Sequence, residues 1–123
     1  MNHKAKVGRR GEELVCDWLL RHGHTILERN WRSSHLELDI VSRARDGIHF
    51  VEVKSRVAPL AASPQENVGG LKQHRVAKAA QHYLAMKGEQ DTEAWLDVAT
   101  VVFDGEDAIV EYMPNAYVPI YYG

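Results

Sequence analysis

With 123 residues, the sequence is long enough to build one hydrophobic core, and we expect a single domain over residues 1–123. Its 45% hydrophobic and 26% charged residues exclude a mainly disordered chain, its one cysteine excludes a disulfide framework, and its net charge of −2 argues against coating nucleic acid through bulk electrostatics. No stretch approaches the roughly 20 apolar residues of a membrane helix, and no apolar core of a secretory signal follows the N-terminus, so we expect a cytoplasmic protein without a membrane partner.

The first half of the sequence predicts a helix followed by three strands. Apolar and small residues recur at helical spacing from Lys6 to His22, and Gly23 is expected to end this helix. Three β-rich runs follow, at residues 25–31, 36–40 and 48–55. The turn signal Asp46-Gly47 predicts that the last two runs pair as an antiparallel hairpin.

The second half predicts one more helix and two more strands. A loop over residues 57–70 contains two prolines and a Gly-Gly pair, and an amphipathic helix is predicted over residues 71–87. Two β-rich runs, 95–103 and 108–113, flank Asp104-Gly105, a second hairpin signal. The order αβββαββ predicts an α/β (α+β) fold with one mixed sheet flanked by helices.

Charged residues lie on both strands of the first predicted hairpin. Residues two apart in a strand point to the same face, so Glu37 and Asp39 share a face of one strand, and Glu52 and Lys54 share a face of the next. We expect the opposite face of the earlier strand to be filled by Leu36, Leu38 and Ile40.

The register of the hairpin decides which of these residues oppose each other. A two-residue loop over Asp46-Gly47 places Asp39 opposite Lys54, whereas a four-residue loop places Asp39 opposite Glu52. Both registers bring Asp39, Glu52 and Lys54 to one face, because directly opposed residues point to the same side of the sheet. Opposed Cβ atoms lie about 5 Å apart, so the three side chains are close together.

Two carboxylates at that distance repel each other unless a cation lies between them, and oxygen ligands suit Mg²⁺ or Mn²⁺. With a neighbouring ammonium, these groups suit metal-assisted hydrolysis of a phosphodiester. The alternative is a solvated hairpin on which Asp39 and Glu52 form ordinary salt bridges with Lys54.

The spacing Asp39, then Glu52-Val53-Lys54, resembles the D...E-x-K core of the restriction-endonuclease-like nuclease superfamily. A wider set of motifs, from about Lys6 to Tyr117, resembles the YraN-like family of small uncharacterised bacterial proteins. These motifs are Gly8-Arg9-Arg10-Gly11-Glu12, Asn30-Trp31-Arg32, Glu37-Leu38-Asp39, residues 50–56 (FVEVKSR), Lys72-Gln73 with Ala79-Ala80, and Asn115-Ala116-Tyr117.

The resemblance implies a restriction-endonuclease-like sheet, related in plan to Holliday-junction resolvases and tRNA-splicing endonucleases. It also implies that Asp39 and Glu52 are metal ligands and that Lys54 orients or activates the attacking water. In resolvase-like proteins an acid from the first helix joins the metal site, and Glu12 is the corresponding candidate here. For Glu37, a role beside the site and a position in solvent remain alternatives.

Basic residues near these acids are the candidates for contacts with nucleic-acid phosphates. They are Arg32, Arg56, Lys72 and Arg75. The sequence departs from the family pattern at Leu36, where glycine is usual, and at Trp95, where a basic residue is usual. We expect Leu36 to alter packing and Trp95 to remove one phosphate contact.

The sequence therefore predicts a nuclease that depends on Mg²⁺ or Mn²⁺ and hydrolyses DNA, with branched or single-stranded structures as the expected substrates. The chain leaves little surface for reading a base sequence. The alternative is a nucleic-acid-binding or adaptor protein that keeps the nuclease fold without turnover. Both a monomer and a homodimer are compatible with the sequence.

Overall fold

A computed structural model of the protein describes residues 3–59 and 70–116. The elements follow the predicted order αβββαββ. They are α1 (His3–Arg21), β1 (Thr25–Ser33), β2 (Leu36–Ala44), β3 (Gly47–Val57), α2 (Gly70–Met86), β4 (Ala94–Asp104) and β5 (Asp107–Met113). Gly23 follows α1 with a φ of 86°, a left-handed conformation that suits glycine and confirms the predicted helix end.

The strands form one mixed sheet in the order β1-β2-β3-β4-β5. Sequential neighbours are antiparallel except β3 and β4, which are parallel and are joined by the crossover that contains α2. A parallel pair requires such a crossover because the chain must return to the same end of the sheet. The predicted fold class is thereby confirmed.

The β2–β3 hairpin follows one of the two predicted registers. The last pair of this register joins Ile40 and Val51, so Asp39 and Glu52 are the next residues of the two strands. The turn is shorter than this register was expected to need, because Ala44 pairs with Gly47 and leaves only two residues between them. Gly47 has a φ of 136°.

The helices cover opposite faces of the sheet with two separate cores. Helix α1 contributes Val15, Cys16 and Leu19, which pack against Ile40, Val51, Ala99 and Val101. Helix α2 contributes Val76, Ala77, Ala79, Ala80 and Tyr83, which pack against Leu36, Leu38, Val41, Ile48, Phe50, Leu96 and Val98. Cys16 is buried and serves as a small apolar residue of the first core.

The expectation that Leu36, Leu38 and Ile40 share one face is wrong. Leu36 and Leu38 pack in the α2-side core, whereas Ile40 packs in the α1-side core. The alternation is interrupted at Asp39, and Asn30, which lies between the paired positions on β1, has a φ of 53°. This irregular step frees Asp39 from either core and places it at the end of the sheet where β2 and β3 separate.

Helix α1 lies close to the sheet at Gly11. A Cβ atom at this position would lie 1.9 Å from Oγ of Ser55, whereas a Cβ at Gly8 would have nothing within 4 Å. The absence of a side chain at Gly11 thus allows the helix to lie against β3.

Most of the loop predicted over residues 57–70 lies outside the described residues. Among the described helices, neither has the length and apolar character needed to cross a bilayer.

Candidate functional site

A cleft of about 790 Å³ opens between the N-terminal half of α1 and the first turns of α2, over the start of β2 and the end of β3. Its lining combines acidic, basic and apolar side chains from all four elements. The lining residues are Val7, Gly8, Glu12, His35, Leu36, Glu37, Asp39, Glu52, Val53, Ser55, Arg56, Val57, Lys72, Arg75 and Val76. Three of the four predicted catalytic residues, Glu12, Asp39 and Glu52, therefore lie in one cleft.

Asp39 and Glu52 form the acidic floor of this cleft. Glu52 is buried, with 6% of its surface exposed, and Asp39 is partly buried. Burial, the neighbouring charge of Glu52 and, more weakly, that of Glu12 raise the pKa of Asp39 to about 7. A second negative charge beside Glu52 is therefore costly unless a cation compensates it.

The backbone fixes the position of Asp39. Its Oδ2 atom accepts a hydrogen bond of 2.9 Å from the backbone N–H of Val53, the residue after Glu52. This contact opposes the pKa increase because it favours the charged carboxylate. The acid of β2 is thus tied to β3 directly beside the second acid.

Glu12 reaches the cleft from α1. Its Oε2 atom accepts a hydrogen bond of 3.1 Å from Nδ2 of Asn30 on β1. Glu12 and Asp39 line the same cleft, and the negative charge of Glu12 adds weakly to the increase in the pKa of Asp39. The expectation that an acid from the first helix joins the pair is consistent with this arrangement.

Lys72 provides the cation that contacts the acidic floor. Its Nζ atom lies 2.6 Å from Oε1 of Glu52. Partial burial lowers the pKa of Lys72, but the hydrogen bond and negative charge of Glu52, with the more distant charge of Asp39, outweigh it and raise the pKa. The sequence had suggested Lys72 only as a phosphate contact.

Lys54 lies near the acids but is absent from the cleft lining. Burial lowers the pKa of its ammonium, and the positive charges of Arg56 and Lys72 lower it further, whereas Glu52 acts in the opposite direction. Lys54 is therefore within electrostatic range of Glu52, on the side of β3 that faces α2.

Two of the predicted phosphate-binding arginines line the cleft, and the third does not. Arg56 and Arg75 are exposed at its margin. Arg32 lies outside the lining, where its Nη2 atom is 4.0 Å from Oε1 of Glu37 and both side chains are mostly exposed. Glu37 lines the cleft from its solvent side, beyond the acidic floor.

Carboxylate oxygens match the donor preference of Mg²⁺ and Mn²⁺, and the mutual repulsion of Asp39 and Glu52 favours a cation between them. Over residues 3–59 and 70–116, however, no group of three or more His, Cys, Asp and Glu side chains is assembled to hold a metal ion. The carboxylates of this cleft are therefore suitable ligands for such an ion. They would have to move closer together to bind it.

A second polar cluster, which was not predicted from the sequence, lies on the α1 side of the sheet. His49 is 5% exposed, and its Nδ1 and Nε2 atoms lie 2.6 Å from Oδ2 of Asp97 and 2.7 Å from Oδ1 of Asp46. The fully buried Asp97 also accepts hydrogen bonds from the hydroxyl of Tyr112 and, at 2.8 Å, from the backbone N–H of Asn115. An aspartate between Leu and Val in an apolar run was the sequence signal for this cluster.

Trp95 belongs to the surroundings of this cluster and is not part of the cleft lining. Its Nε1 atom donates a hydrogen bond of 3.2 Å to the backbone oxygen of Asp46, and its ring lies over that of His49. Trp95 therefore lies beside the β2–β3 turn and outside the cleft lining, and the expectation that it removes one phosphate contact stays a prediction.

The fold and the cleft together define a small α/β protein in which acidic and basic side chains meet at one end of the sheet. Residues 11–101 match the profile of a family described as "Uncharacterised protein family UPF0102". The chain belongs to this family, which confirms the resemblance to the YraN-like proteins.

Bacterial members of the family are similar to this chain over most of its length. A UPF0102 protein of Geobacter metallireducens is 40% identical over 115 residues, which cover 94% of each chain. A UPF0102 protein of Syntrophotalea carbinolica is 40% identical over 114 residues, or 93% of each chain. A UPF0102 protein of Dictyoglomus turgidum is 34% identical over 119 residues, which cover 95% of this chain and all of that protein.

Among solved structures, SfsA of Pyrococcus furiosus in complex with Ca²⁺ aligns with 90% of this chain and 63% of its own. The sequence identity is 14% and the TM-score is 0.39, a likeness too distant to assign a function.

Proposed function

We propose that this protein is a divalent-metal-dependent nuclease that hydrolyses phosphodiester bonds in DNA. The supporting observation is that one cleft brings together carboxylates from three elements, Glu12, Asp39 and Glu52, with basic side chains at its margin. Acids on the floor and cations at the rim suit a polyanionic substrate whose reaction needs a metal ion.

Each group has a distinct task in this proposal. Asp39 and Glu52, with Glu12 beside them, hold Mg²⁺ or Mn²⁺, which when bound polarises the phosphoryl oxygen and lowers the pKa of water. The N–H of Val53 holds the Asp39 carboxylate in place by its 2.9 Å hydrogen bond. Lys54 orients the attacking water through its position near Glu52.

The basic margin of the cleft positions the substrate. Arg56 and Arg75 bind the phosphates on either side of the scissile bond. Arg32 adds a phosphate contact from outside the cleft. Both described helices pack their apolar faces on the sheet, and the described residues contain no additional helix that could serve as a recognition element. We therefore infer that the substrate is chosen by its shape, as a branch, flap or single strand.

A cleavage assay tests this proposal. Labelled four-way junctions, flaps, single strands and duplexes of DNA, with an RNA single strand for comparison, are incubated with the protein and Mg²⁺, Mn²⁺ or EDTA. We expect cleavage of a branched or single-stranded DNA that requires the ion and is lost in Asp39→Asn and Glu52→Gln. Cleavage that persists in both variants would show that Asp39 and Glu52 do not carry out the reaction, whether its source is another site or a contaminating nuclease.

The rim is tested separately by binding with EDTA present. Arg75→Ala is expected to weaken DNA binding and to reduce its salt dependence, because one phosphate contact is lost. Arg45→Ala is the matched control, since Arg45 is exposed at the β2–β3 turn and lies outside the cleft lining. If Arg75→Ala and Arg45→Ala weaken DNA binding equally, the DNA does not bind at the margin of the cleft.

The ion pair between Lys72 and Glu52 favours a second candidate function, a DNA-binding or adaptor protein without turnover. An ammonium can neutralise the acidic floor permanently, and the described residues hold no assembled group of metal ligands. Salt-dependent DNA binding without cleavage in either metal would support this candidate over the nuclease.

A further inference from the structure

Lys72 occupies an unusual place for a lysine. It is the third residue of α2 (Gly70–Met86), whose first turn holds no acidic residue. The N-terminus of a helix carries the positive end of its dipole, so a cation there is unfavourable unless a nearby anion compensates it. Here the compensating anion is Glu52, on a different element.

The contact between Lys72 and Glu52 crosses the cleft from α2 to β3. The two charged atoms are 2.6 Å apart, and the Glu52 side chain is 7% exposed whereas that of Lys72 is 53% exposed. A carboxylate removed from water depends strongly on its partner cation, whereas a lysine with a long flexible stem can leave towards solvent. The contact is therefore more important for Glu52 than for Lys72.

A divalent ion and the Lys72 ammonium would satisfy the same need. Both neutralise the acidic floor formed by Asp39 and Glu52, and the ammonium engages Oε1 of Glu52. An oxygen that binds an ammonium at 2.6 Å is a poor ligand until the ammonium withdraws. Lys72 can withdraw without unfolding α2, because its four-carbon stem moves independently of the helix.

We propose that Lys72 is a built-in counter-cation of the Asp39–Glu52 pair, which a divalent ion must displace and which is then free to contact a substrate phosphate. The displacement rests on the proposed function, because it assumes that the acids bind an ion. Lys72 acts here as a positioning residue, since it controls the state of Glu52. Lys72 thereby reduces the repulsion between the two acids before the ion arrives.

The test compares three variants by calorimetric titration with Mn²⁺ in the absence of DNA. Lys72→Met removes the competing charge and is expected to bind Mn²⁺ up to about tenfold more tightly than wild type. Lys72→Arg retains the charge and pairs with a carboxylate through a planar fork, so it is expected to bind Mn²⁺ more weakly than wild type. Lys78→Met, at an exposed position of the same helix, is expected to leave the affinity unchanged.

A measurement on the wild-type protein avoids any loss of stability in the variants. The rate of reductive methylation of each lysine is followed by mass spectrometry with and without Mg²⁺. Displacement of the ammonium from Glu52 is expected to increase the labelling rate of Lys72 several-fold, because a free amine is reached more readily than a paired one. The rate at Lys78 is expected to stay constant.

The outcomes separate this inference from the proposed function. If the affinity for Mn²⁺ decreases in the order Met, Lys, Arg at position 72 and Mg²⁺ exposes Lys72 to labelling, the inference is supported. If wild type binds Mn²⁺ but Lys72→Met binds it equally or more weakly, the inference fails and the metal site stands. If neither wild type nor Lys72→Met binds Mn²⁺, the metal-dependent nuclease fails and displacement of Lys72 fails with it.

Discussion

The carboxylate of Asp39 accepts a hydrogen bond from the backbone N–H of Val53, so the acid of one strand is tied to the next strand directly beside Glu52. Two acids are thereby kept together although burial and like charge oppose it. The pKa of Asp39 is raised to about 7 as a result, so the charge of this pair changes near neutral pH.

The first prediction concerns the effect of Asp39 on the pH dependence of stability. The pKa of Asp39 is raised from an ordinary value of 3.8 to about 7, so the folded state retains a proton that the unfolded state releases. Its contribution to the free energy of unfolding therefore falls as the pH rises from about 4 to about 7, by on the order of 1 to 3 kcal/mol.

Melting temperatures at pH 5 and pH 8, without divalent ions, test this. Asp39→Asn is expected to lose less stability than wild type over this range, because an amide does not ionise and can still accept the Val53 hydrogen bond. Asp17→Asn, at an exposed position of α1, is the control. Parallel pH profiles for wild type and Asp39→Asn would contradict the prediction.

The second prediction concerns metal affinity. If the proton on Asp39 must leave before an ion binds, the affinity for Mn²⁺ should increase from pH 6 to pH 8 and level off above the pKa of about 7. Asp39→Asn and Glu52→Gln should bind little Mn²⁺ while they remain folded. Calorimetric titration, with a melting curve for each variant, checks both statements. Unchanged Mn²⁺ affinity in the two variants would show that Asp39 and Glu52 do not form a metal site.

The third prediction is that Lys54 is needed for cleavage and much less for the binding of metal or DNA. Lys54→Ala should reduce DNA cleavage by about 10² or more, the scale of a lost positioned catalytic group. Metal affinity should hold or rise, and DNA affinity should fall only modestly, because phosphate contacts are spread over several residues. Single-turnover cleavage with separate measurements of Mn²⁺ and DNA binding tests this; a simple salt bridge would instead lower the melting temperature and leave any cleavage intact.

The fourth prediction concerns the buried cluster around His49. Burial lowers the pKa of His49, but its hydrogen bonds to Asp97 and Asp46 outweigh this and raise the pKa above the ordinary value of 6.5. The stabilisation from the charged imidazole is thus fully present below pH 6.5 and is lost as the pH rises through the raised pKa of His49.

His49→Gln should therefore destabilise the fold by roughly 2 to 4 kcal/mol at pH 6, since it leaves Asp97 buried without its cation, and by less at pH 9. His35→Gln, at an exposed position, should have little effect. Chemical denaturation at the two pH values measures both variants. A greater loss for His49→Gln at pH 9 than at pH 6 would show that the imidazole is neutral in the folded protein.

The fifth prediction compares two glycines on α1. Gly11→Ala places a Cβ atom 1.9 Å from Oγ of Ser55 and should cost on the order of 1 kcal/mol, because Ser55 must turn aside. Gly8→Ala meets nothing within 4 Å and should be neutral or stabilising by up to about 1 kcal/mol, through its better helix propensity. Melting curves of both variants test this comparison. Adding Ser55→Ala to Gly11→Ala removes the Oγ atom and is expected to restore part of the lost stability.

The order of the elements could be predicted from the sequence because each signal is local. Helical spacing in residues 6–22, alternation in residues 36–40 and glycine at position 23 each depend on residues a few positions apart. The meeting of Asp39 and Glu52 was also predictable, since a short turn between two strands leaves only a few registers.

Only the tertiary structure decided that Lys72 contacts Glu52 and where the polar residues of the core lie. Sequence spacing placed Lys54 beside Glu52, whereas docking of α2 brings Lys72 to 2.6 Å from it. The same holds for the irregular step at Asp39 and for the pairing of His49 with Asp97, residues 48 positions apart. Such contacts depend on how elements pack across the sheet, and no periodicity within one element encodes that distance.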